Sequence, residues 1–178
     1  MEYRKKLNTS EMKKIIPFVI AALFIFASCD TNSGVSEAFL KYSHQKGVTS
    51  VTVPGWLIAL GAKLGDLSDE EKELLESVDK VKVLSVEDDD LNAEINFHKE
   101  FQLKINKNGE YEELMTVNGD DESVTIFGKM DDDVIKEMII LVGGDENAMV
   151  YVKGEISPEL INNAIDKNHP DKLFSFNF

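Results

Sequence analysis

The chain has 178 residues, of which 43% are hydrophobic, and it carries a formal net charge of -14 at pH 7. This length is typical of one domain, and the content of aliphatic residues and phenylalanine is high enough for a core, which excludes a disordered chain. The acidic excess excludes a nucleic-acid-binding role, because contacts to phosphates need Lys and Arg. It also disfavours anionic lipid head groups as a binding surface.

The first 28 residues have the pattern of a cleaved leader. Lys13 and Lys14 precede an apolar run of 13 residues, from Ile15 to Ala27. A membrane-spanning helix needs about 20 apolar residues, whereas the core of a signal peptide needs about 7–15. The run therefore predicts a signal peptide over residues 1–28. The stretch before Met12 resembles an upstream extension, so that Met12 is an alternative start of translation.

Cys29, the only cysteine of the chain, directly follows this leader. Ala27-Ser28-Cys29 resembles the lipobox of bacterial lipoproteins, with Phe26 where leucine is usual. The resemblance implies that Cys29 is acylated and becomes the new amino terminus, which anchors the protein to the membrane. An ordinary leader with a chance cysteine is the alternative. Residues 29–35 then form a short lipid-anchored tether, and its single acidic residue favours a periplasm-facing location at the outer membrane.

The first half of the mature chain has helical periodicity with one short strand. Apolar residues at i, i+3, i+4 and i+7 predict a first helix, and an alternating run predicts a strand that ends at Pro54. A second apolar stripe, then a capping box at Ser68 and Glu71, predict two more helices. The residues of these patterns are Val35, Ala38, Phe39 and Tyr42; Thr49, Val51 and Val53; Trp56, Leu57, Leu60 and Leu64; and Leu74, Leu75 and Val78.

The second half is richer in strands. A β-type run begins at Val81, and one helix is predicted from Asp88 to Ile105. Two hairpins follow, with turns at NGDDE (118–122) and GGDEN (143–147). In the last strand, Ala148, Val150, Val152 and Ile156 alternate with Met149, Tyr151, Lys153 and Glu155. This alternation predicts that one face of the sheet is covered and the other exposed.

The order of these elements predicts an α+β domain over residues 36–178. Its sheet is mainly antiparallel, and its helices pack on one face. Ser157 and Pro158 predict the start of a final helix, whose buried stripe is Leu160, Ile161, Ala164 and Ile165.

Three segments carry a resemblance to a known family, namely residues 39–57, 78–88 and 124–156. They are similar to small lipoproteins of the Bacteroidota that are defined by a domain of unknown function, DUF4252. The resemblance spans about residues 36–165. It implies an exported protein of the cell envelope, and it supplies no catalytic residues.

The residues that could support catalysis are few. None of His44, His98 and His169 has a metal-type partner at i+3 or i+4, which disfavours a zinc site. We interpret His98 as a hydrogen-bonded residue at a helix–sheet boundary, with a general base as the alternative. Two SxxK sequences, at residues 43–46 and 77–80, lie near helix ends and lack the partner motifs of penicillin-binding enzymes. We therefore assign no catalytic residue.

Acidic clusters occur at residues 87–90, 120–122, 131–133 and 145–146. The predicted order of strands brings three of the four to one end of the sheet. Calcium binds six to eight oxygens in flexible geometry, so these loops could form a weak site. The candidate ligands are Asp88, Asp90, Asp120, Asp121, Asp145 and Glu146. The alternative is that these are simply solvated turns, in which Asp is common; no other cofactor is expected.

Taken together, these patterns predict a non-enzymatic lipoprotein of the cell envelope. It would be held at the membrane through acylated Cys29 and would bind another protein or a small envelope component. The alternatives are an envelope hydrolase with an unrecognised site near His98, and a weak calcium-binding lipoprotein. The oligomeric state is left open.

Overall fold

The computed structural model describes residues 32–161, in which six strands form one antiparallel sheet. The predictions for the leader, Cys29, His169, Ala164 and Ile165 lie outside these residues. The elements in chain order are α1 (Ser33–Tyr42), β1 (Val48–Pro54), α2 (Gly55–Leu64), α3 (Asp69–Glu76), β2 (Val78–Val86), α4 (Asp89–Glu94), α5 (Phe97–Ile105), β3 (Glu112–Asn118), β4 (Glu122–Asp131), β5 (Val134–Gly144) and β6 (Ala148–Ile156).

The order of strands across the sheet is β1-β2-β6-β5-β4-β3, and every neighbouring pair is antiparallel. This confirms the predicted α+β class and both predicted hairpins, β3–β4 and β5–β6. We call the end of the sheet at which β2 and β5 finish the upper end, and the opposite end the lower end. β1 and β3 are the edge strands.

The main core lies between the sheet and the two helices α1 and α5, on what we call the helical face. Three aromatic rings form its centre, with ring centroids 4.9 Å apart for Tyr42 and Phe97 and 5.6 Å apart for Phe97 and Phe101. Buried side chains of four strands complete this core, namely Leu84, Val86, Phe127, Ile139, Leu141, Met149 and Tyr151. The alternation predicted for β6 is therefore observed, and Met149 and Tyr151 lie on the covered side.

α1 begins earlier than predicted. Asn32 caps the helix by accepting a hydrogen bond from the backbone N–H of Gly34 at 2.8 Å, and its amide donates to the carbonyl of Ile105 at 2.9 Å. Residues 33–35 of the predicted tether are therefore helical, and Val35 is fully buried. An Asn cap satisfies backbone groups that a flexible tether would leave to water.

The single helix predicted from Asp88 to Ile105 is in fact two, α4 and α5. The backbone is extended at Ile95 and at Asn96, which caps α5 by accepting from the N–H of Lys99 at 2.9 Å. The apolar stripe continues across the break, since Leu91 and Ile95 pack against the main core. Periodicity alone therefore did not reveal that the chain turns here.

A smaller apolar cluster lies on the second face of the sheet, near the lower end. Its buried residues are Val78, Ile135 and Ile156, and Ile58 of α2, Leu74 of α3 and Ile161 pack against it. The capping box predicted at Ser68 and Glu71 is confirmed. Val78, which we had assigned to the buried side of that helix, is instead the first residue of β2.

Candidate functional site

The upper part of the second face is an uncharged surface that crosses all six strands. The registers place one residue of each strand in a middle row: Val51, Val83, Val150, Ile140, Ile126 and Met115. The row above it is Thr49, Ser85, Ala148, Val142, Val124 and Val117. We call these twelve residues the open face.

The open face is not covered by either apolar core. Among residues 32–161, none of its twelve members belongs to the main core or to the smaller cluster. Val51, Met115 and Val117 are 44%, 46% and 52% exposed, and the other nine are half-buried. Most natural antiparallel sheets show polar residues on a face that meets water. This face instead has nine Val, Ile and Met residues in a strongly acidic chain, which is typical of an interaction surface.

Helix α2 adds exposed apolar side chains beside this surface and contacts both β1 and β2. The stripe predicted from the sequence is present, but it faces outward: Trp56 is 70% exposed and Leu64 is 81% exposed. Leu57 and Leu60 are also exposed, whereas Ala62 is buried and Ile58 packs in the smaller cluster. A helix that is apolar on both sides in a monomer indicates a second contact surface.

The helical face contains a buried carboxylate with two tyrosine donors. Glu137 is 5% exposed, and its Oε2 accepts a hydrogen bond from the hydroxyl of Tyr151 at 2.9 Å and another from the hydroxyl of Tyr111. Burial and the hydrogen bond to Glu137 raise the pKa of Tyr111 far above its usual value. The group is built for stability at neutral pH, since both donors keep their protons there.

His98 takes part in a polar chain at the boundary of α5 and the sheet. Its Nε2 lies 2.8 Å from Oγ1 of the buried Thr125, which lies 3.0 Å from Oγ1 of Thr116. Thr116 in turn donates to the carboxylate of Glu113. This geometry agrees with our interpretation of His98 as a hydrogen-bonded boundary residue.

A cleft of about 450 Å³ lies at the upper end of the sheet. Asp120, Asp121 and Asp145 line it together with Lys99 and Gly144, while residues 92–96 form another wall. The backbone N–H of Asp145 donates to the carbonyl of Asp121 at 3.1 Å, which holds the two turns together. Three of the six candidate calcium ligands therefore share one cleft.

The other candidate ligands lie elsewhere at this end. Asp88 caps α4 by accepting from the N–H of Leu91 at 3.0 Å, and its side chain packs against Gly47. Asp90 and Glu146 are exposed and do not line the cleft. Within the described part of the chain, no group of three His, Cys, Asp or Glu side chains is arranged to hold a metal ion. The calcium site stays a prediction.

Both SxxK serines have structural partners. Ser43 Oγ lies 2.9 Å from Nδ1 of His44, and Ser77 Oγ donates to the carbonyl of Leu74 at 2.7 Å. Lys46 and Lys80 are exposed.

Comparison with protein families matches residues 42–164 to the domain of unknown function DUF4252. The chain belongs to this family. The matched range includes all six strands, so that the open face and α2 are parts of the DUF4252 domain itself. No curated protein and no solved structure matches the chain. None of the helices within residues 32–161 is long and apolar enough to cross a membrane.

Two features of this DUF4252 domain were missed from the sequence. One is the buried pair Asn92 and Asn147, which we had treated as ordinary helix and turn residues. The other is the open face, because an alternating strand does not show which of its faces the helices cover. The equally apolar alternation of β5, in which Ile139 and Leu141 alternate with Met138 and Ile140, was the available signal.

Proposed function

We propose that the protein is a lipid-anchored, non-enzymatic binding module of the cell envelope, and that the open face is its binding surface. The observation that carries this proposal is the middle row, in which six apolar residues cross six strands without a charge. Burial of apolar surface contributes about 25 cal/mol per Å², so a partner that covers this row gains free energy from an area that is otherwise in contact with water.

The anchor follows from the sequence pattern at Cys29. Acylation would place the lipid three residues before Asn32, the cap of α1. Covalent geometry allows at most about 11 Å between the Cα atoms of these two residues. Asn32 contacts the carbonyl of Ile105 at the C-terminal end of α5, which is the lower end of the sheet. The domain would therefore stand on the membrane with its lower end, at the periplasmic side of the outer membrane.

Site-specific photocrosslinking in intact cells tests the binding surface. A benzophenone amino acid at Ile126, on the open face, should give a discrete adduct of higher mass. The same amino acid at Leu103, which is 82% exposed on α5 of the helical face, is the matched control and should give none. An adduct from both positions, or from neither, would contradict the proposal.

Metabolic labelling with a fatty-acid probe tests the anchor separately. The wild-type chain should carry the label, and Cys29→Ala should lose it and leave an unprocessed or soluble periplasmic form. Equal label on both chains would refute the acylation of Cys29.

A further inference from the structure

We infer that the open face binds a second copy of the same chain, sheet against sheet, in a twofold-symmetric dimer. This rests on the proposed function, because it names the partner of the same surface. Four observations favour a second copy over other partners: the absence of charge on the face, its two edges, its area and the position of the anchor.

The charge distribution restricts the possible partners. The chain has a formal charge of -14, yet the twelve residues of the open face are all uncharged. Two acidic chains repel each other if their charged surfaces meet, and this face is one on which they can meet without opposed carboxylates. A basic partner, by contrast, would gain nothing at this surface from the acidity of the chain.

The two edges of the open face complement each other under twofold symmetry. An axis between the two sheets, parallel to the strands, places β1 of one copy opposite β3 of the other. α2, which adjoins β1, then lies beside the exposed Met115 and Val117 of the second copy, and the same contact is repeated by symmetry. The exposed apolar residues at both edges are thus explained by one arrangement.

The available area is sufficient for a dimer. Strands about 4.8 Å apart and rows about 7 Å apart give the open face about 400 Å² per copy. The exposed side chains of α2, with Trp56 the largest, add roughly 200 Å² per copy. The total for two copies is about 1,200 Å², the lower limit for specific stable interfaces. Aligned sheets pack about 10 Å apart with their strands within about 30°, which two such flat aliphatic faces allow.

The anchor is compatible with this symmetry. An axis parallel to the strands leaves both copies with their lower ends on the same side, so that both Asn32 residues point toward one membrane. Anchoring in one membrane also raises the effective concentration of copies for each other. Insertion of the open face into the bilayer is disfavoured, because β1 and β3 would bring unpaired edge N–H and C=O groups into hydrocarbon.

Cysteine crosslinking in intact cells is the direct test, with the full chain expressed behind its own leader in a Gram-negative host. Val150 lies in the middle row on β6, one of the two central strands. Val150→Cys with a short thiol-to-thiol crosslinker should give a covalent dimer of the chain. The matched control is Leu103→Cys on the helical face, and it should stay a monomer, as should the wild-type chain with its acylated Cys29.

A charge at the same position gives a second, independent measurement. Val150→Glu in the detergent-extracted full chain should weaken dimerisation at least tenfold by light scattering. It should leave cooperative melting in place, because the side chain is already half-exposed in one copy. Leu103→Glu should leave the dimer intact.

The outcomes separate this inference from the proposed function. A covalent adduct of Val150→Cys with a different protein would support a binding module and overturn the dimer. No adduct at all would overturn both. A chain that dimerises only after deletion of residues 162–178 would assign the face to its own terminal segment and overturn the dimer as well. So would a dimer whose affinity Val150→Glu leaves unchanged.

Discussion

The amide of Asn147 donates a hydrogen bond to the side-chain oxygen of Asn92 at 3.1 Å, in the interior at the upper end of the sheet. Asn147 is 1% exposed, and its own Oδ1 accepts from the backbone N–H of Phe97 at 2.6 Å. Asn92 donates onward to the carbonyl of Val86 at 3.0 Å. This pair thus joins the β5–β6 turn to the break between α4 and α5, where buried backbone groups would otherwise lack partners.

Replacement of Asn147 by Ala should lower the free energy of unfolding by about 2–3 kcal/mol, because it leaves the N–H of Phe97 and a carbonyl-rich pocket unsatisfied. Chemical denaturation monitored by circular dichroism measures this. Asn118→Ala, at an exposed end of β3, is the control and should change stability by less than about 0.5 kcal/mol. Similar losses for both variants would show that Asn147 has no special role.

The sequence predicted the sheet well because its signals are local. Turn residues at 118–122 and 143–147 fix the two hairpins, and the capping box at Ser68 fixes the start of α3. The break at Ile95 was missed because it depends on Asn147, which is about fifty residues away along the chain. The covered face of β6 was equally out of reach, because Val150 and Tyr151 are both suitable for a core and only the packing of α1 and α5 decides between them.

Deprotonation of Tyr111 should make the protein sensitive to alkali. The pKa of Tyr111 is raised in the folded state by burial and by the hydrogen bond to Glu137. Its contribution to stability is therefore complete below the unfolded pKa of about 10 and declines as the pH rises above that value. We expect the free energy of unfolding to fall between about pH 10 and 12.

Tyr111→Phe should remove part of this decline, which urea titrations at several pH values can measure. At pH 7 the same variant should be less stable by about 1–2 kcal/mol, since Glu137 keeps only the hydroxyl of Tyr151 as a tyrosine donor. A variant with an unchanged slope above pH 10 would show that another group controls alkaline unfolding.

Gly143 marks a close approach between β5 and the start of α5. A Cβ at this position would lie 2.3 Å from the backbone nitrogen of His98, and a backbone atom cannot move aside cheaply. Gly143→Ala should therefore destabilise the fold by about 1–3 kcal/mol. Gly61 in α2 is a matched control, because a Cβ there meets nothing within 4 Å. Gly61→Ala should be neutral or stabilise by up to about 1 kcal/mol, as Ala favours a helix. Thermal melts compare the two variants directly, and an equal effect would contradict the close contact.

Calcium binding at the upper cleft is the remaining prediction from the sequence. Asp120, Asp121 and Asp145 line the same cleft, and a divalent ion there would reduce the repulsion between their carboxylates. Extracytoplasmic calcium modules bind at about 10⁻⁴–10⁻³ M, so millimolar calcium should raise the melting temperature above that in sodium chloride of matched ionic strength. Asp120→Asn/Asp121→Asn should abolish this difference, whereas Asp131→Asn at the lower end should retain it. If wild type gains nothing from calcium beyond the effect of ionic strength, the acidic turns are solvated and Lys99 is the cation that the cleft already holds.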